Sequence, residues 1–103
     1  MTSPAGSAGT IAERIAEAAS GIAGVAGLHG GAFGEVATYL PGRRIEGVRL
    51  TDRLCEVHIV VLIPADLPAV AEAVRAQVAP LVEVPVQVTV EDVRVGGREG
   101  AES

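Results

Sequence analysis

From Leu54 to Val93 the spacing of apolar residues changes period twice. In Leu54–Ile63, Cys55, Val57, Ile59, Val61 and Ile63 hold one parity, with Glu56 and His58 on the other. That alternation predicts a strand with one buried face. Leu67, Val70, Ala71, Val74 and Val78 then recur at helical spacing, and Val84, Val86, Val88 and Val90 alternate again, with Gln87 and Thr89 opposite. Two one-sided strands and a striped helix can bury their apolar surface only against each other, so this strand–helix–strand unit is the expected core.

Upstream, Thr10-Ile11-Ala12-Glu13 has the form of a capping box, opening a helix that carries Ile11, Ile15, Ala18, Ala19 and Ile22 on one face. Gly24 suits its C-cap. Val25–Gly31 reads equally as strand or loop. Glu35–Leu40 and Ile45–Leu50 read as strands joined by the Pro41-Gly42 turn, where Pro presets φ and Gly accepts a positive one.

A two-residue loop at Asp52-Arg53 would set Leu50 opposite Cys55, Arg49 opposite Glu56 and Val48 opposite Val57. Apolar pairs then share one face and an opposite-charge pair the other, the arrangement cross-strand energetics favours. Ile45 falls on the wrong parity, and a bulge at Gly47 would correct it. Pro64 ends the long strand, Asp66 caps the second helix, Pro68 is tolerated in its first turn, and Pro80 stops it. Val93 and Val95 change parity, which predicts a second bulge or a frayed strand end.

The fold class expected is α+β: a two-layer sandwich with two helices on one face of a mostly antiparallel sheet. Its order is helix, uncertain strand, three strands, helix, strand. One domain, 10–95, lies between disordered tails at 1–9 and 96–103; at 103 residues a second core does not fit.

Composition narrows the function classes. Phe33 and Tyr39 are the only aromatics, so the core is aliphatic and offers no base-stacking platform. The net charge is −5, and all eight cations are Arg. That balance argues against a general nucleic-acid binder. Arg43, Arg44, Arg49 and Arg53 nonetheless cluster, and form a candidate partner-contact patch. The expected N-terminus has no signal peptide, and no apolar run approaches a membrane span.

Catalytic constellations are weak. Cys55 is the single cysteine and sits on the inward parity, where a thiol serves as an apolar filler. His29 and His58 are the only imidazoles, and they read as surface residues, with too few ligands beside them for a metal. Glu91 and Asp92, adjacent in a strand, would point opposite ways and guard its edge. Gly21, Gly24, Gly27 and Gly30 give three overlapping Gly-x-x-Gly runs. These read as helix termination and tight turns, with a KH-like RNA-clamping loop as the alternative. No catalytic, cofactor-binding or metal residue is assigned, and taken alone the residues do not state a function.

The order of fragments supplies one. Ile11-Ala12, Ile15-Ala16, Gly24-Val25-Ala26-Gly27-Leu28, Gly47-Val48-Arg49-Leu50 and Glu56-Val57-His58-Ile59-Val60-Val61 come first. Leu67-Pro68-Ala69-Val70-Ala71 and Val86-Gln87-Val88-Thr89-Val90-Glu91-Asp92-Val93 follow. Together the chain resembles the alkaline shock protein (envelope stress response) family of bacteria over about residues 10–93, in an actinobacterial-type form rich in Ala, Gly and Arg. The resemblance implies a non-enzymatic cytoplasmic protein of cell-envelope homeostasis. Such a protein self-associates and gathers at the inner face of the membrane through a membrane-anchored partner, with no cofactor and no small-molecule substrate. The departures are a short, weakly charged C-terminal tail and Ile63-Pro64-Ala65 in place of a polar loop. The alternative is a small KH-like RNA-binding module using the glycine runs and the Arg43–Arg53 cluster.

Overall fold

A single strand, Cys55–Ile63 (β5), is hydrogen-bonded along both of its edges, and the other elements are arranged about it. The computed structural model describes residues 4–95. In chain order these form α1 (Pro4–Ser20), β1 (Val25–Leu28), β2 (Ala37–Leu40), β3 (Arg43–Glu46), β4 (Val48–Leu50), β5, α2 (Leu67–Val78), a 3₁₀ turn (Ala79–Leu81) and β6 (Val86–Val95). The expected α+β sandwich is the fold: both helices pack on one face of a mostly antiparallel sheet.

One edge of β5 is covered by two short strands placed end to end. β1 pairs antiparallel with its second half, Leu28 opposite Ile59, and β4 with its first half. The anticipated register holds at each position: Val48 faces Val57, Arg49 faces Glu56 and Leu50 faces Cys55. The junction lies at His58, whose carbonyl accepts from the His29 amide (2.9 Å) and whose amide donates to the Gly47 carbonyl (2.9 Å). His29 and Gly47 are thus neighbours on one interrupted ribbon, and the segment between them leaves the sheet as an excursion. That excursion holds the β2–β3 hairpin, a separate two-stranded ribbon closed by Pro41-Gly42 with Gly42 at φ 79°. Val25–Leu28, ambiguous in the sequence, is a strand because β5 supplies it with hydrogen-bond partners.

Along the other edge β6 runs parallel to β5, reached through α2 as the parallel pairing requires. The parity change at Val93 is a bulge: Ile59 faces Val90 but Val60 faces Asp92, leaving Glu91 as the extra residue.

The core is aliphatic throughout. Ala12, Ile15 and Ala19 of α1 and Val70, Val74 and Val78 of α2 close over Val48, Cys55, Val57, Ile59 and Val61. Asp66 caps α2 by accepting from the Ala69 amide at 3.1 Å. Gly24, at φ 96°, lets the α1–β1 link pass under α2, where a Cβ would stand 2.9 Å from Val70.

One boundary differs from expectation. α1 starts at Pro4, so Thr10 and Glu13 lie within the helix and do not open it. The capping-box signature is local, and the segment before it follows the helix instead. Residues 1–3 and the expected tail at 96–103 lie outside the described residues.

Gly47 is where the chain returns from the excursion. Its φ is 88°, and a Cβ there would stand 2.6 Å from the Leu28 Cβ, 3.0 Å from the His29 amide nitrogen and 3.2 Å from the His58 carbonyl oxygen. Gly47→Ala is expected to cost about 2 kcal/mol or more, combining left-handed strain with backbone crowding. Urea denaturation measures this; a midpoint within error of the parent would contradict the account.

Candidate interaction surface

The second face of the sheet carries the polar parity of β4, β5 and β6. Arg49, Glu56, His58 and Glu91 lie across it in a row. The Arg49 guanidinium is 3.6 Å from Glu56, and the other Glu56 oxygen is 3.6 Å from His58 Nε2. His58 Nδ1 lies 2.5 Å from Glu91 Oε2 and donates to it. A carboxylate only accepts, so this contact fixes a proton on Nδ1. The bulge creates the last link. The extra residue in β6 brings Glu91 onto His58, and Asp92, facing Val60, shares its parity. The two carboxylates therefore do not point opposite ways as the alternation alone implied. His58 is not a freely solvated histidine either; its side chain is only 12% exposed.

This arrangement is a row of paired side chains along the sheet. The two carboxylates engage different nitrogens of one imidazole, so they cannot converge on a common ion. Among the described residues no three His, Cys, Asp or Glu side chains are placed to hold a metal. His29 is in the excursion, where its Nδ1 accepts from the Gly31 amide at 2.9 Å. Two cavities of about 250 and 270 Å³ lie between α1 and the 80–84 segment. Ile11 and Leu81 line both, Arg14 and Pro80 complete the first, and neither is lined by His29, His58 or Cys55.

The four clustered arginines are distributed over β3, β4 and the following loop. Arg43 pairs with Glu13 of α1, Arg44 lies 3.8 Å from Glu46, and Arg49 pairs with Glu56. Arg43 and Arg44 are successive strand residues, so their side chains leave opposite faces of the hairpin. Arg53 sits in the β4–β5 loop, where Thr51 Oγ1 accepts from the Arg53 and Leu54 amides at 3.1 Å each. Three of the four thus have an acidic neighbour on this chain. The Gly-x-x-Gly runs lie along the α1–β1 link, within β1 and at the start of the excursion.

Both aromatics are in the excursion and both are exposed, Phe33 by 92% and Tyr39 by 68%. The turn that carries Phe33 is tied internally. The Val36 amide donates to the Gly30 carbonyl at 2.9 Å, the Gly34 amide to the Gly31 carbonyl at 3.2 Å, and the Phe33 amide to Glu35 Oε1 at 3.0 Å. Backbone amides hold the Glu35 carboxyl below its usual range, with His58 and Arg49 adding to the effect.

Cys55 is fully buried between the helices and the sheet. Burial, with the Glu56 charge adding to it, pushes its thiol up to about 11 from 9.0. The folded state therefore retains a proton that the unfolded chain sheds first. Its contribution is intact below pH 9.0 and is lost as pH rises through about 11. At about 1.4 kcal/mol per decade of acidity, this is an alkaline loss of a few kcal/mol. Urea midpoints from pH 8 to 11 should fall in the parent and much less in Cys55→Val, while an aromatic disulfide reagent should label Cys55 only after denaturation. Rapid labelling of the folded protein would contradict this. Glu91→Ala, which strands the covered His58 Nδ1–H, is expected to cost about 1–2 kcal/mol in the same assay.

Comparison with known proteins places the fold alone. No family model matches the chain, and no curated protein does. Among solved structures it is similar to the copper form of the MamM CTD, at 21% identity and a TM-score of 0.53, over 87% of this chain and 90% of that one. A tryptophan-to-alanine variant of the MamM CTD aligns at 20% identity and a TM-score of 0.53, over 87% and 85%.

Proposed function

We propose that this chain is a non-enzymatic interaction protein of the envelope stress type, acting by self-association and by binding a membrane-anchored protein partner. The observation that carries the reading is the polar face of the sheet. Its ionisable groups contact one another in a row, from Arg49 through Glu56 and His58 to Glu91, and do not line either of the two cavities. Catalysis by acid, base or nucleophile needs such groups aimed at a shared space where a reacting atom can sit. The exposed aromatics of the excursion, Phe33 and Tyr39, are suited to contact instead, since aromatic side chains are enriched where proteins meet.

The sequence resemblance supports the same reading, through the order of its fragments from Ile11 to Val93. So does the acidic balance, a net charge of −5, which disfavours a polyanionic ligand. Among the described residues no helix is long and apolar enough to cross a membrane.

Fractionation of native cells tests the proposal. The chain should sediment partly with membranes, leave them in alkaline carbonate, and crosslink in intact cells to a membrane-spanning protein. Wholly soluble recovery without a crosslinked membrane partner would count against it, and salt-sensitive binding of single-stranded RNA would favour the KH-like alternative.

A further inference from the structure

The outer edge of β6 has an unusual make-up for an exposed strand. Among the described residues β6 pairs only with β5, so the peptide groups of its other edge have no strand beside them. Exposed edges are ordinarily protected by charge, proline or a bulge, because an open ladder recruits other strands. Here those devices stand at the two ends only: Pro85 before the strand, and the Glu91 bulge with Asp92 and Arg94 after its middle. The stretch between them, Val86-Gln87-Val88-Thr89-Val90, is uncharged and mostly β-branched, and its three valines are only half-buried.

This stretch is also its own complement. In an antiparallel pairing centred on Val88, Val88 faces Val88 of a second copy, Val86 faces Val90, and Gln87 faces Thr89. The valines then meet on the helix side and the polar pair on the charged side, as favourable cross-strand pairing requires. One step further, Glu91 falls opposite Pro85, so no two carboxylates are set against each other. We infer that β6 is a self-association edge, joining two copies of this chain through Val86–Val90 across a twofold axis into one continuous sheet. The inference rests on the interaction reading above and names its contact. Five residues per copy make a short ladder, so the dimer forms reversibly.

Substituted cysteines test both the edge and its register, because Cys55 is buried and does not compete. Paired Cα atoms across an antiparallel ladder lie about 4.5 or 5.5 Å apart, within disulfide range. In an oxidising glutathione buffer, Val88→Cys should give a disulfide-linked dimer. Thr89→Cys alone should not, while Thr89→Cys mixed with Gln87→Cys should give the mixed dimer. Gln87 and Thr89 are on the outward parity, so the mixed pair carries the test even if Val88→Cys fails to fold. In sedimentation, the Gln87→Lys/Thr89→Lys double variant should dissociate at concentrations about tenfold or more above the parent, with an unchanged circular dichroism spectrum. If the parent dimerises but crosslinking ignores register, or the Lys variant dimerises equally, the edge is wrong while self-association stands. A parent that stays at 10.4 kDa throughout overturns both the edge and the self-association part of the proposed function.

Discussion

The hydrogen bonding of β5 on both edges is the constraint from which the remaining geometry follows. One edge is held by an interrupted antiparallel ribbon and the other by a parallel strand, so β5 cannot slide without breaking both. Its side chains inherit that rigidity. Cys55, Val57, Ile59 and Val61 are fixed under the helices, and Glu56 and His58 are fixed on the opposite face. The aliphatic core and the charged surface are therefore two sides of one pleat. A one-residue slip would bury the ion pairs and expose the valines.

Where a local rule and a tertiary partner agreed, the structure was readable in advance. The β4–β5 register was determined by three coincident pairs: two apolar on one side and Arg49–Glu56 on the other. The stripe of Val70, Val74 and Val78 similarly located the buried face of α2, with Asp66 and Pro80 marking its limits. The start of α1 was not readable, because Pro4, Gly6 and Gly9 are poor helix formers and Thr10–Glu13 imitates a genuine cap. Nor was β1 certain. Its Gly27 weakens strand propensity, and what makes it a strand is its ladder with Ile59, Val60 and Val61, more than thirty positions away.

The surface was legible only in part. Parity placed Glu56 and His58 on the outer face and flagged an irregularity near Val93. It did not show which residue was extra, since a bulge is defined by the strand it pairs with. That residue is Glu91, and its displacement produces the contact with His58. The four arginines looked like one patch because they are close in the chain. Strand alternation sends Arg43 and Arg44 to opposite faces of the hairpin, and Glu13, Glu46 and Glu56 stand beside three of the four.

The interrupted ribbon has one more consequence. His29 and Gly47 bond to the carbonyl and the amide of the same residue, His58, on one edge of β5, so the excursion leaves and rejoins the sheet at nearly the same point. A loop with adjacent ends costs little additional closure entropy as it lengthens, growing only with the logarithm of its size. The domain is thus tolerant of change at this place. The exposed turn carrying Phe33 and the hairpin tip at Pro41-Gly42 could be shortened, enlarged or exchanged for an unrelated segment while Val36 and Ala37 stay buried and the sandwich keeps its register. The scaffold and this exposed turn can then change independently.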